Sequence, residues 1–184
     1  MTNQTSSRRS FLIKTAVVTT GLALVSSTQA FAKILDNESP YKGYNPFSEN
    51  KTDLRKNFFS KSILVKGIVY DEFGVSKISN AKIEVWHLSP NSEKFKHRGH
   101  FFTNENGEYK FITDFPNRYE GEKTKIYFKI SSNEKATFTD LIFDSNFAYI
   151  SYKHWESNNI LKERLFPKLK TSGLQTTIQF NITL

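Results

Sequence analysis

From Ser60 onward apolar and polar side chains alternate with a period of two, the spacing that sends successive side chains to opposite faces of a strand. Ile63, Val65, Gly67 and Val69 alternate with Leu64, Lys66, Ile68 and Tyr70, and the turn Asp71-Glu72-Phe73-Gly74 closes that strand. Ala81, Ile83 and Val85 alternate with Lys82, Glu84 and Trp86 in a second one. His100 to Thr103 and Tyr109 to Ile112, joined by Asn104-Glu105-Asn106-Gly107, read as a hairpin in which Gly107 supplies positive φ. Ile126, Phe128 and Ile130 alternate with Lys125, Tyr127 and Lys129, Phe138 to Phe143 follows, and Ile178, Phe180, Ile182 and Leu184 end the chain. Between Asp144 and Ser172 the alternation weakens, and His154-Trp155 with Ile160 to Leu165 fits a short helix or a covering loop. The pattern predicts an all-β fold: one β-sandwich of about seven short strands over residues 60–184, with a long covering loop.

Two segments precede the sandwich. Residues 33–59 are polar and turn-rich, with Pro40, Gly43 and Pro46, and predict an irregular arm lying over the body. Residues 1–32 read as a twin-arginine signal peptide. Ser7-Arg8-Arg9-Ser10-Phe11-Leu12 leads into a mildly apolar run, and Ala30-Phe31-Ala32 offers a cleavage site after Ala32. An ordinary secretory signal or an uncleaved anchor is the alternative. The run is short for a membrane span, so the expectation is export to the periplasm or beyond, with no span left after signal removal.

Composition narrows the classes. The chain of 184 residues carries a net charge of +8, and removing residues 1–32 takes away three basic and no acidic side chains, leaving +5. Those charges are interspersed along the chain, so nucleic acid is not an expected partner. Cysteine is absent, which excludes disulfides, thiolate metal sites and a lipoprotein anchor. An unstapled domain must rely on its core, and 17 Phe supply one. No nucleophile elbow, phosphate loop or zinc-protease helix motif is present.

The order of the pieces resembles the intradiol ring-cleavage dioxygenases, non-haem ferric enzymes that open catechols between their hydroxyls. The residues carrying the resemblance start with Lys66-Gly67-Ile68-Val69-Tyr70-Asp71 and Asn80 through Trp86-His87. They continue with Arg98-Gly99, Thr103 through Phe111, Phe115-Pro116-Asn117-Arg118-Tyr119, Lys125 through Lys129, Thr139 through Phe143 and Phe180 through Leu184. The resemblance implies an Fe(III) site of two tyrosinates and two histidines, the histidines at i and i+2 of one strand. Phenolate oxygen suits a hard, highly charged cation.

Carried over residue by residue, the two histidine positions hold Lys125 and Tyr127, and the second tyrosine is Tyr119. The first tyrosine belongs between Trp86 and Arg98, where the chain has Phe95, and an arginine that steadies the bound catecholate is replaced by Glu122. An ammonium beside Fe(III) is strongly repelled, so Lys125 is expected to pair with Glu122 or another carboxylate. A rebuilt metal set would be Tyr119, Tyr127, His97 and His100. Otherwise His97 and His100 are solvent-facing members of the basic segment 94–98 and its neighbour, His87 is a hydrogen-bonded strand residue and His154 a surface one.

The expected function is that of an exported, non-catalytic binding or subunit relative, without cofactor, partnered by an exported subunit or a small aromatic ligand. One alternative is an active ring-cleaving dioxygenase with Fe(III) held by altered ligands. Another is a transthyretin-like envelope binding domain.

Overall fold

A computed structural model describes residues 39–133 and 135–184. The signal segment, its cleavage site at Ala32 and the start of the arm lie outside the described residues. The strands are β1 (Ser62–Tyr70), β2 (Lys82–His87), β3 (His97–Phe102), β4 (Glu108–Asp114) and β5 (Thr124–Ser132). They continue as β6 (Lys135–Phe143), β7 (Ala148–Ile150), β8 (Lys168–Ser172), β9 (Gln175–Gln179) and β10 (Ile182–Thr183). The helix α1 (Tyr152–Asn158) and a 3-10 segment (Asn159–Leu165) follow β7.

Two five-stranded sheets form the expected sandwich. The first runs β3-β2-β5-β6-β7, with antiparallel pairing throughout. In the second, β1 is the hub: β4 pairs with it antiparallel, and β9 and then β10 pair with it parallel, with β8 outside β9. The apolar members of each alternating set meet between the sheets, where Ile63, Val65, Ile83, Ile126, Phe128, Ile130, Leu141, Phe143, Ile178 and Phe180 are fully enclosed. Their rings interlock: Phe128 lies 5.3 Å from Phe180 and 6.0 Å from Phe111, centroid to centroid. Each such side chain contributes about 1.5–3 kcal/mol by leaving water.

The strand count exceeds the seven expected, and the differences have physical reasons. β7, β8 and β9 are short or polar, so alternation alone does not mark them. The segment read as one hairpin is instead a corner between sheets: β3 pairs with β2, and β4 pairs with β1. The turn itself is as expected, with Gly107 at φ 68° and its N–H donating to the Asn104 carbonyl. What separates the two strands is the arm. Lys51 donates to the His100 carbonyl and Glu49 accepts from the His100 N–H, while Leu54 and Thr52 make the corresponding pair with Ile112. Residues 49–54 thus bridge the exposed edges of both sheets, satisfying backbone groups that an open edge would present to water.

The weakly patterned stretch after Asp144 folds back as α1 and the 3-10 segment. Ser151 caps α1 by accepting from the His154 N–H, and Leu161 and Leu165 pack beside Tyr70 and Ile68. Among the described residues no helix is long and apolar enough to cross a membrane.

Candidate functional site

On the first sheet, alternation places Lys82, Glu84 and Trp86 of β2 on the outer face. The register sets Tyr127 of β5 beside Trp86 and Lys129 beside Glu84, and Asp140 and Phe138 of β6 beside those two. Residues 41–44 of the arm lie across this face. Tyr41 stacks on Tyr127 at 4.9 Å, and its hydroxyl donates to Asp140 Oδ1. The Lys42 carbonyl accepts from the Trp86 indole N–H at 3.0 Å, and the Lys42 ammonium sits over the Tyr119 ring. Gly43 turns against the Phe95 ring with φ 78°; a Cβ there would come within 2.2 Å of that ring.

Tyr44 completes the cover. Its ring packs on Trp86 at 5.1 Å and on Phe138, and its hydroxyl donates to Glu84 and accepts from the Lys129 ammonium at 2.8 Å. Glu84 is only 4% exposed, yet Lys82 lies 3.4 Å and Lys129 3.9 Å from its carboxylate. A carboxylate withdrawn from water in this way is held by neighbouring cations and a phenol.

At the end of the same face lies a second group of residues: Leu88, Asn117, Arg118, Tyr119, Glu122, Lys123, Lys125 and Tyr127. The cavity between them measures only about 10 Å³, room for about one water. Lys125 faces Glu122 at 3.8 Å. Burial, with Glu122 and Asp140 nearby, pushes the Tyr127 hydroxyl up to about 12, so it keeps its proton. Tyr41 is raised further, by burial and by Asp140.

No sequence-family model and no curated protein sequence matches the chain. Solved structures do. The dioxygenase domain of a dioxygenase–carbohydrate-binding protein fusion from Streptomyces sp. SirexAA-E superposes with TM-score 0.59 at 20% identity, covering 80% of this chain and 94% of that one. The chain has the intradiol ring-cleavage dioxygenase fold. An intradiol ring-cleavage dioxygenase from Tetranychus urticae matches at TM-score 0.58 and 18% identity, over 79% of this chain and 90% of that one. The 3-chlorocatechol 1,2-dioxygenase of Rhodococcus opacus 1CP matches at 0.55 and 17%, over 79% and 69%. At these identities the likeness concerns the fold.

The resemblance drawn from sequence names four metal positions, and the structure shows what occupies them. Phe95 lies 6.3 Å from the Tyr127 ring, and Lys125, Tyr127 and Tyr119 line the same small cavity. The positions therefore come together, but the residues in them do not fit Fe(III). Phe95 has no donor atom, Lys125 is an ammonium engaged with Glu122, and Tyr41 occupies the space over Tyr127. A catecholate has no room beside them.

The two other metal candidates go elsewhere. His97 points to the inner side of its sheet, the face opposite Tyr127, where its Nδ1 bonds Ser89 and its Nε2 lies 2.9 Å from Asp114. It is not solvent-facing. His100 shares the outer face but stands on β3, with β2 between it and Tyr127, and its Nδ1 bonds the Ser48 carbonyl at 2.8 Å. His154 is fully buried against Phe180 rather than on the surface, because α1 folds it under the sheet edge. His87 is the hydrogen-bonded strand residue expected, between Leu88 and Thr113. Among the described residues no three His, Cys, Asp or Glu side chains gather as a metal-holding group.

Sequence reasoning missed Tyr41 and Tyr44. The arm is expected to lie over the body, but nothing in two tyrosines between Pro40 and Pro46 says which face they cover.

Proposed function

We propose that this protein is an exported, non-catalytic relative of the intradiol dioxygenases that keeps the sandwich as a binding or subunit scaffold. The observation that carries the reading is the plugged face: Tyr41 lies on Tyr127, and Lys125 stands paired with Glu122 where a neutral or anionic donor belongs. Charge gives the reason. A trivalent cation in a poorly solvated site needs anionic or neutral donors, and an ammonium adds repulsion instead. The twin-arginine pattern before residue 32 supports export, and an exported partner chain or a small aromatic ligand fits such a scaffold.

The test is oxygen uptake by the purified, iron-supplemented protein with catechol, protocatechuate and hydroxyquinol. No uptake above a protein-free iron control supports the proposal. Uptake matched mole for mole by ring-opened product overturns it.

A further inference from the structure

A large cavity lies away from the plugged face, on the second sheet. It is an open groove of about 560 Å³ lined by Lys66, Ile68, Phe102, Lys110 and Gln179, with Thr52 of the arm and Asn104 of the turn at its border. It runs across strands. The registers explain its charge: Lys66 sits directly opposite Lys110 on β4 and beside Gln179 on β9, and Gln179 sits opposite Lys168 on β8. All four therefore share the outer face in one row, with Lys170 in the next row beside Thr177. At about 4.8 Å between strands, Lys110 and Lys168 stand roughly 14 Å apart.

The lysines of the row stand without ion pairs among the described residues. Lys66, Lys110, Lys168 and Lys170 are all exposed. Like charges directly opposite on neighbouring strands destabilise a sheet, so Lys66 against Lys110 is a cost with no internal return. The one carboxylate lining the groove, Glu108, bonds the Asn104 amide rather than a lysine.

We propose that this groove, together with the lysines that continue its row onto β8, binds an extended acidic polysaccharide laid across β4, β1, β9 and β8. Carboxylates spaced along the polymer meet the lysine row. The Gln179 amide and the Thr52 hydroxyl offer hydrogen bonds to sugar hydroxyls, and Ile68 and Phe102 offer apolar contact to the C–H faces of the rings. The groove is open at the surface, which suits a chain passing through rather than a small molecule enclosed. The site uses no residue of the plugged face, so it stands apart from the question of iron.

The experiment is isothermal titration of the exported protein with an oligogalacturonate, with neutral dextran oligomers and with a single-stranded oligonucleotide of equal charge. Binding of the uronate, weakened by salt and absent for dextran, is expected. The double variants Lys66→Gln/Lys110→Gln and Lys168→Gln/Lys170→Gln should each weaken it by about tenfold, whereas Lys94→Gln/Lys96→Gln, on an exposed loop, leaves it unchanged. These substitutions lie at exposed positions, and each variant is to be checked for folding by circular dichroism. No uronate binding, binding indifferent to the groove lysines, or equal binding by the oligonucleotide overturns the proposal.

Discussion

Lowering the pH from 7 to 5 will cost this fold several kcal/mol, because two histidines are buried as neutral rings. His87 is fully enclosed, its Nδ1 bonded to the Leu88 carbonyl at 2.7 Å and its Nε2 to the Thr113 hydroxyl at 2.6 Å. Burial, helped by the neighbouring His97, pushes its pKa down to about 3. His154 lies 4.4 Å from the Phe180 ring with Nδ1 bonded to Thr139, and burial pushes it to about 4. In the unfolded chain both titrate near about 6.5. Below that value the unfolded state takes up protons that the folded state refuses, so stability falls as pH falls until the folded values are reached. At pH 5, well below the unfolded value and still above the folded ones, keeping each ring neutral costs about 2 kcal/mol. Together the loss is about 4 kcal/mol, a Tm fall of roughly 8–16 °C for a domain of this size. Thermal melts by circular dichroism at pH 7, 6 and 5, at constant ionic strength, read it directly. The variant His154→Phe keeps a ring on Phe180 but removes one titration, and its Tm should fall about half as far. A wild-type Tm that stays flat from pH 7 to 5, or a variant with the same pH dependence, would refute the reasoning.

Other expectations concern the plugged face and the close contacts that fix the sandwich. Tyr41→Ala should cost about 1 kcal/mol through the lost stack, and ultraviolet titration should show Tyr127 ionising below about 12 once water reaches it. Gly67→Ala should cost about 3 kcal/mol or more, measured by urea unfolding, since a Cβ there would sit 1.7 Å from the Phe180 carbonyl oxygen, which also accepts from Tyr109. Restoring donors with Phe95→Tyr, Lys125→His and Tyr127→His should confer iron binding only when Tyr41→Ala is added, as measured by metal analysis; iron uptake without that fourth change would show that the arm is no obstacle.

Much of this was legible along the chain, for reasons that also mark where legibility ends. Alternation over β1, β2, β5 and β6 fixes which residues face the core, because a period of two leaves no other assignment. The exchange of ligand types at Lys125 and Tyr127 is likewise visible as soon as their i, i+2 spacing is noticed. Pairing partners are another matter. The run from His100 to Ile112 has every local sign of a hairpin, yet its two strands join different sheets because residues 49–54, themselves without alternation, complete both edges. His97 looked solvent-facing within a basic stretch, but strand register turns it inward to Asp114. The lysine row is the same lesson in charge: Lys66, Lys110 and Lys168 are scattered in sequence and become neighbours only through the sheet.

Iron content is the measurement closest to the central claim. The purified protein, expressed with excess iron and analysed for metal together with its visible spectrum, should be colourless and hold iron far below one atom per chain. One tightly held iron per chain, with the intense visible band of phenolate bound to Fe(III), would contradict the account.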